Sequence, residues 1–204
     1  MPRSSNYPGL LPDPPPELVT TPLPIIEDQR SWFRLHRADY SPIYFGRTGR
    51  NRFDAPDGEY GVLYLGDSLH CCFVETYGRS DRGDRRIVTR QELTRRNLAT
   101  VELSRALRVV DLTGAGLARI DADNRLGTGD YQAARRWSQA LWAHPEHPDG
   151  LRYRSRHDPA RVCLAVFERA GDAVEAIDQG SLLSPANLML LGEILDMYAI
   201  GYLE

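Results

Sequence analysis

Short strand-like segments, interrupted by single helices, constrain the fold of this chain more than any other feature of its sequence. Strand-like patterns occur at residues 32–36, 60–65, 86–89, 98–103, 107–112, 151–155 and 162–167, with alternating or continuous apolar side chains. Apolar spacing and helix-start residues predict helices at about 68–77, 131–143 and 185–198. Because strands and helices do not alternate regularly, the sequence predicts an α+β fold with a mixed sheet.

Proline dominates the beginning of the chain. Eight of the fourteen prolines lie within the first 24 residues, including the run Pro14-Pro15-Pro16, and proline is excluded from helix interiors and central strands. Residues 1–24 are therefore predicted to form an extended arm that either wraps around the domain or moves freely. Residues 25–204 are predicted to form one domain.

Composition limits the cellular compartment and the binding partners that we expect for this chain. A formal net charge of −3 gives no general attraction to nucleic acid or to acidic membranes. A run of about 18 apolar residues and an apolar leader are both missing, so neither a membrane-spanning helix nor a secretory signal is expected. Three cysteines, two of them adjacent at Cys71 and Cys72, make a poor disulfide framework and show no metal-binding spacing. These features predict a cytoplasmic protein without a metal site.

Three local patterns suggest functions that their surroundings do not support. Residues 112–116 resemble the start of a dinucleotide-binding loop, but the third glycine and a following helix are not evident, which favours a plain turn after a strand. His144 and His147 flank Pro145 and are predicted to lie in an exposed loop. The seven arginines between positions 79 and 96 are interleaved with acidic residues, so this segment is interpreted as a solvated face.

Five further side chains are candidates for one site: Arg34, Arg52, Tyr64, Glu75 and Ser155. Arg34 lies on an early strand, Arg52 in a polar loop, and Tyr64 on an apolar strand face. Glu75 flanks the apolar stripe of the first helix, and Ser155 shares a strand face with apolar residues. Each has an ordinary structural explanation when taken alone, such as a surface ion pair for the arginines, core packing for the tyrosine, and helix capping for the glutamate.

If these side chains converge, their chemistry points to one class of ligand. All 25 basic residues are arginine, and two guanidiniums suit a pyrophosphate because each can bond two oxygens. An aromatic ring can stack on a flat heterocycle. A carboxylate and a hydroxyl suit a ribose whose C1′ becomes cationic as a glycosidic bond breaks. NAD fits best, because its nicotinamide leaves as a neutral ring and needs no general acid.

The order of several short motifs resembles that of a known family. Trp32-Phe33-Arg34, Asn51-Arg52-Phe53-Asp54, Leu63-Tyr64, Glu75-Thr76 and Tyr153-Arg154-Ser155 follow one another as in the RES domain, which is named for its Arg, Glu and Ser. The resemblance covers roughly residues 31–167 and includes Phe45-Gly46. The proline-rich arm and the C-terminal region are less diagnostic.

This resemblance implies a fold similar to that of ADP-ribosyltransferase toxins, with a split, mixed sheet, flanking helices and a cleft for NAD. It also implies a toxin of a Res–Xre toxin–antitoxin module that depletes NAD by cleaving its nicotinamide–ribose bond, with water or inorganic phosphate as acceptor. Arg34 and Arg52 are then expected to bind the NAD phosphates. Tyr64 is expected to stack near nicotinamide. Glu75 is expected to bond the ribose and stabilise the developing cation, with Ser155 supporting the cleft.

The partner and the acceptor are open to more than one interpretation. The resemblance implies an Xre-type antitoxin that blocks the cleft, and it leaves open whether the chain assembles with itself or only with that antitoxin. A protein ADP-ribosyltransferase that uses the same cleft is the alternative enzyme. A non-catalytic module that binds a nucleotide or a protein is the alternative of another class.

Overall fold

The computed structural model describes residues 11–78 and 86–204 and has the α+β fold that the sequence predicts. Its strands within these ranges are β1 (Ile25–Asp28), β2 (Trp32–Arg37), β3 (Val62–Gly66), β4 (Ile87–Thr89), β5 (Arg96–Leu103), β6 (Leu107–Leu112), β7 (Gly150–Arg154), β8 (Val162–Phe167), β9 (Val174–Ser181) and β10 (Gly201–Leu203). The α-helices are α1 (Leu69–Tyr77), α2 (Arg90–Thr94), α3 (Ala115–Arg119), α4 (Arg125–Thr128), α5 (Tyr131–Trp142) and α6 (Leu188–Met197). Short 3₁₀ helices lie at Pro16–Thr20 and Glu168–Ala173.

Eight strands form one sheet in the order β1-β6-β7-β8-β3-β2-β5-β9, and β10 pairs with β4 separately. Neighbouring strands of the large sheet are antiparallel, except that β6 and β7 are parallel. The register between β2 and β3 consists of Phe33 opposite Gly66, whereas β3 and β8 pair over five residues. The sheet is therefore mixed and splits between β2 and β3, as the resemblance implies.

The helices cover the sheet with apolar side chains. Trp137 and Leu141 of α5 are fully buried in the same apolar cluster as Leu151 of β7. Phe73 of α1 and Ile194 of α6 belong to a second cluster, which includes residues of β2 and β5. Burial of each such side chain contributes roughly 1.5–3 kcal/mol. Among the described helices, none is long and apolar enough to cross a membrane.

The described part of the N-terminal arm is packed on the domain. Leu11, Leu18 and Leu23 are buried in the cluster that contains α5. The Trp137 indole donates to the carbonyl oxygen of residue 12 over 2.8 Å, and His144 Nε2 lies 3.1 Å from the Leu18 carbonyl oxygen. Residues 11–24 therefore wrap around the domain, and residues 1–10 of the predicted arm lie outside the described ranges. The division at residue 24 stays a prediction.

Two of the local interpretations are wrong. His144 is buried rather than exposed, because its ring fills the space between α5 and the arm that it holds. Residues 112–116 lead into the short helix α3, although no following helix was predicted. This helix begins after Gly114, whose φ of 54° lies in the left-handed region that glycine adopts without strain.

Candidate active site

A cleft of about 770 Å³ lies where β2 and β3 diverge. Its lining includes residues 34–37 of β2 and 64–66 of β3, together with side chains from the loop between these strands and from α1. Four of the five candidates line this cleft, namely Arg34, Arg52, Tyr64 and Glu75. Ser155, which follows β7, does not line it but bonds directly to Glu75. The fold thus brings all five side chains to one place.

Helix α1 carries Glu75 to the cleft. The helix begins after Ser68, whose hydroxyl oxygen accepts a hydrogen bond from the amide of Cys71 over 3.2 Å and so caps its first turn. Leu69, Cys72 and Phe73 of the predicted apolar stripe are buried. Glu75 flanks this stripe in the last turn and is exposed. Burial of the stripe therefore fixes the helix while leaving the carboxylate accessible to a ligand.

Ser155 holds one oxygen of Glu75. The Ser155 hydroxyl is only 1% exposed and donates to Glu75 Oε1 over 2.5 Å, while the amide of Arg156 donates to the same oxygen over 2.9 Å. The Ser155 Oγ itself accepts from the amides of His157 and Asp158, so its hydrogen is directed to the glutamate. None of the described residues donates a hydrogen bond to Glu75 Oε2. One carboxylate oxygen is therefore anchored and the other is available to a ligand.

A further hydrogen bond connects this turn to α6, and no sequence pattern predicts it. Tyr198, the residue that follows α6, donates from its hydroxyl to Asp158 Oδ2 over 2.8 Å. The amide of Asp158 in turn donates to Ser155 Oγ over 3.1 Å. The C-terminal helix is therefore connected to Glu75 by a chain of three hydrogen bonds that passes through Asp158 and Ser155.

Arg52 is a buried cation with unused hydrogen-bonding capacity. It is 6% exposed, its Nη1 donates to the Gly129 carbonyl over 2.9 Å, and its guanidinium lies 4.4 Å from the ring centroid of Tyr131. Its Nη2 is buried and has no hydrogen-bond partner among the described residues. Burial lowers the pKa of Arg52, and the charge of Glu75 is among the effects that oppose this shift. A buried donor without a partner is costly, and an anion in the cleft would provide the missing acceptor.

The Arg34 guanidinium is held by backbone carbonyls of the loop after β2. Its Nη1 donates to the carbonyl oxygen of residue 42 over 2.7 Å and, more weakly, to that of Tyr44 over 3.4 Å. Burial lowers the pKa of the Arg34 guanidinium to about 10, and the charge of Arg96 contributes to the lowering. The group remains protonated at neutral pH. It makes no ion pair with any carboxylate of the described residues.

The Tyr64 hydroxyl points to the protein rather than to a ligand. It donates to Asp54 Oδ1 over 2.9 Å and accepts from the amide of Phe53 over 3.0 Å. Burial and then the neighbouring Asp54 carboxylate raise the pKa of Tyr64 well above its ordinary value, so the phenol stays protonated. The ring of Tyr64 still lines the cleft. Its hydroxyl therefore fixes the Arg52 loop, and its ring is the part that can contact a ligand.

Asp54 organises the loop that presents Arg52, and sequence analysis missed it as a functional residue. The carboxylate is fully buried and forms no ion pair with a described cation. Instead, Oδ2 accepts hydrogen bonds from the amides of Arg50 and Asn51 and from the hydroxyl of Thr48, each over 3.0 Å. These bonds, with that from Tyr64, compensate the cost of burying the charge.

Replacing Asp54 by alanine is expected to lower the free energy of unfolding by about 2–4 kcal/mol, because several buried donors lose their acceptor. Urea denaturation measures the change. Asp39→Ala is the matched control, since Asp39 is exposed and its replacement should change stability by less than about 0.5 kcal/mol. Equal stability of the two variants would contradict the organising role of Asp54.

The cleft is far more basic than the protein as a whole. Among the described residues its lining contains one carboxylate, that of Glu75, and six arginines: Arg34, Arg37, Arg50, Arg52, Arg96 and Arg156. A concentration of one charge sign in a concave site attracts ligands of the opposite sign. The interpretation of positions 79–96 as a solvated face is wrong for Arg96, which lines the cleft, while residues 79–85 of that segment lie outside the described ranges.

Aromatic rings complete the lining, and only Tyr64 among them was predicted. Tyr131, the first residue of α5, stacks beside Arg52. Tyr40 and Tyr44 lie in the loop after β2 and are mostly exposed. Nothing in their local sequence distinguishes them from surface tyrosines, and their role becomes visible only once β2 and α5 are placed on the same cleft.

Comparisons with known proteins support the same family. The family model described as the RES domain matches residues 31–186. The "Probable toxin y4kH" of Sinorhizobium fredii (strain NBRC 101917 / NGR234) is 32% identical over 93 residues, which cover 45% of this chain and 72% of that protein. A chain in the crystal structure of the M. tuberculosis MbcT–MbcA toxin–antitoxin complex aligns with a TM-score of 0.59 at 21% identity, covering 83% of this chain and 91% of that chain. The structural likeness shows a common fold.

Proposed function

This chain belongs to the RES domain family, and we propose that it is the toxin of a toxin–antitoxin module and cleaves the nicotinamide–ribose bond of NAD. The observation that carries the proposal is the combination, in one cleft, of an anchored carboxylate and a buried arginine with an unused donor. The carboxylate is Glu75 and the arginine is Arg52. Ribosyl nucleotides need both groups, one for the phosphates and one for the sugar.

The pyrophosphate of NAD would bind to Arg52 and Arg34. Guanidinium groups bond two oxygens at once, and the free Nη2 of Arg52 would gain the acceptor that it lacks. Arg34, held by two backbone carbonyls, presents its remaining donors in a fixed orientation. The nicotinamide ring would pack against the ring of Tyr64, whose hydroxyl is occupied by Asp54.

Glu75 would act on the ribose that loses nicotinamide. Its anchored oxygen is fixed by Ser155, so Oε2 can bond a ribose hydroxyl and face the positive charge that develops at C1′. A fixed negative charge beside a developing cation lowers the barrier because no reorganisation is needed during the reaction. Ser155 contributes by holding the carboxylate and does not need to touch the substrate.

The acceptor completes the reaction. The bond between C1′ and the nicotinamide nitrogen breaks, and its electron pair neutralises the pyridinium, so nicotinamide leaves uncharged. An oxygen of water or of inorganic phosphate forms the new bond to C1′. With water, a proton is released and ADP-ribose forms. With phosphate, the product is ADP-ribose carrying a phosphate at that carbon.

Incubation of the purified protein with adenine-labelled NAD, with and without inorganic phosphate, tests this function. We expect free nicotinamide in both reactions, and ADP-ribose or its phosphorylated form as the labelled product, identified by mass spectrometry. Label retained on a protein would assign the cleft to ADP-ribosyl transfer instead. NAD that binds but stays intact would contradict cleavage and indicate a non-catalytic binding module.

A toxin of such a module is inhibited by an antitoxin. An Xre-type antitoxin that covers the cleft would inhibit this protein. Support comes from the structural neighbour, which is a chain of the MbcT–MbcA toxin–antitoxin complex. The exposed, basic mouth of the cleft offers a suitable surface for such a protein. A complex of the two proteins that still consumed NAD at the full rate would contradict this arrangement.

A further inference from the structure

The cleft contains more positive charge than a pyrophosphate requires, and two of the additional arginines lie together at the end of β2. Arg37, at the end of β2, is directly opposite Arg96, at the beginning of β5. Both side chains line the cleft. We call these two residues the Arg37–Arg96 pair.

Two like charges directly opposite each other on antiparallel strands repel one another. Neither member of the Arg37–Arg96 pair forms an ion pair with a carboxylate in the part of the chain that the structure describes. The charge of Arg96 is also felt at Arg34, where it contributes to the lowered pKa. The described residues thus concentrate three guanidiniums without a paired carboxylate, and an anionic ligand would offset the repulsion.

The position of the pair along β2 suggests which anion this is. Arg37 lies three residues beyond Arg34, or about 10 Å along an extended strand. Side-chain alternation places the two residues on opposite faces of β2, and both line the cleft at the edge where β2 and β3 diverge. If Arg34 binds the pyrophosphate, this distance corresponds to the adenosine ribose and the groups attached to it. Tyr40 lies next to this end, with its ring centroid 5.9 Å from the Arg37 guanidinium and its side chain 60% exposed, so an aromatic face is present for an adenine ring.

We infer that the Arg37–Arg96 pair binds a phosphomonoester, that this phosphate is the one on the 2′-oxygen of the adenosine ribose of NADP, and that the protein cleaves NADP as well as NAD. The inference rests on the proposed function, because Arg34 sets the position of the pyrophosphate. A phosphomonoester carries up to two negative charges at neutral pH, and two guanidiniums match it in charge and in hydrogen-bond geometry. The bond broken and the groups released are those of NAD cleavage.

Steady-state kinetics with the two dinucleotides test the inference. The wild-type protein should cleave NADP with a kcat/KM at least equal to that for NAD. Arg37→Gln and Arg96→Gln should each lower kcat/KM for NADP by about 10- to 100-fold, the effect of losing a charged hydrogen-bond partner, and should change that for NAD by less than about threefold. Arg119→Gln is the matched control, since Arg119 is exposed on α3 and does not line the cleft.

Free inorganic phosphate is the alternative ligand of the Arg37–Arg96 pair. A second experiment distinguishes it from the 2′-phosphate of NADP. NAD cleavage is measured with increasing phosphate in the wild type and in both glutamine variants. An unchanged phosphate dependence supports the 2′-phosphate assignment. Loss of the phosphate dependence in both variants, with no preference for NADP, would overturn it and assign the pair to the acceptor.

Binding measurements separate failure of this inference from failure of the proposed function. Calorimetry with ADP-ribose and with 2′-phospho-ADP-ribose needs no turnover. We expect the 2′-phosphorylated compound to bind about 10- to 100-fold more tightly, and Arg37→Gln or Arg96→Gln to remove the difference. Equal affinity for both compounds in the wild type would overturn the inference even if NAD is cleaved, whereas the expected difference would sustain it even if no cleavage occurred.

Discussion

Glu75→Gln is expected to reduce kcat for NAD cleavage by about 100- to 1000-fold, the usual cost of removing one preorganised group that stabilises transition-state charge. Glutamine has the same shape, and its Oε1 can still accept the hydrogen bonds from Ser155 and from the amide of Arg156. It lacks the negative charge that would face C1′. The fold and the affinity for NAD should therefore persist while the chemical step slows.

NAD consumption measures kcat, and thermal unfolding shows whether the variant is folded. Glu175→Gln serves as the matched control, because Glu175 is an exposed residue of the outer strand β9 and does not line the cleft. It should retain wild-type turnover. Growth arrest on expression should follow the same order, with the Glu75 variant inactive. A Glu75→Gln protein that depletes NAD as fast as the control would refute the catalytic assignment.

Arg52→Lys is expected to lower kcat/KM for NAD by about 10- to 100-fold, chiefly through KM, because hydrogen bonds to a charged partner are lost. The guanidinium uses Nη1 to bond the Gly129 carbonyl and its plane to stack on Tyr131, which leaves Nη2 for a phosphate oxygen. A lysine ammonium is a single point of charge and cannot make these three contacts together. A positive charge at position 52 should therefore not be enough to bind the NAD phosphates with wild-type affinity.

The control for this substitution is Arg119→Lys, which makes the same change on an exposed residue outside the cleft. Both variants are compared by initial rates over a range of NAD concentrations. Unchanged KM and kcat in the Arg52 variant would show that Arg52 does not bind the phosphates and that its unpartnered nitrogen has another explanation.

The parts of the fold that depend on local patterns were predictable. The apolar stripe of α1 and the alternation that buries Ser155 while exposing Arg154 both follow from side-chain periodicity, and both are confirmed. The strand β9 was missed because it is an edge strand in which only Val174 is buried, so no apolar pattern marks it. The final helix begins at Leu188 rather than near Pro185, because residues 184–187 form a turn first.

The site itself could not be derived from such patterns. Glu75 and Ser155 are separated by 80 positions, and their contact depends on the order of strands in the sheet, which periodicity does not encode. The resemblance to the RES domain supplied that information, because it places both residues in one motif set. It did not reveal Asp54, whose role arises from the local fold of residues 48–54 around a buried carboxylate. The roles assigned to the five candidate side chains stay predictions.

The central claim is that Arg34, Arg52 and Glu75 contact a single NAD molecule. A crystal structure of the Glu75→Gln variant with NAD tests this most directly, because the substrate should survive. We expect the pyrophosphate on the two guanidiniums and the nicotinamide ribose against residue 75. Density for NAD elsewhere on the protein, or with its phosphates away from both arginines, would contradict the claim.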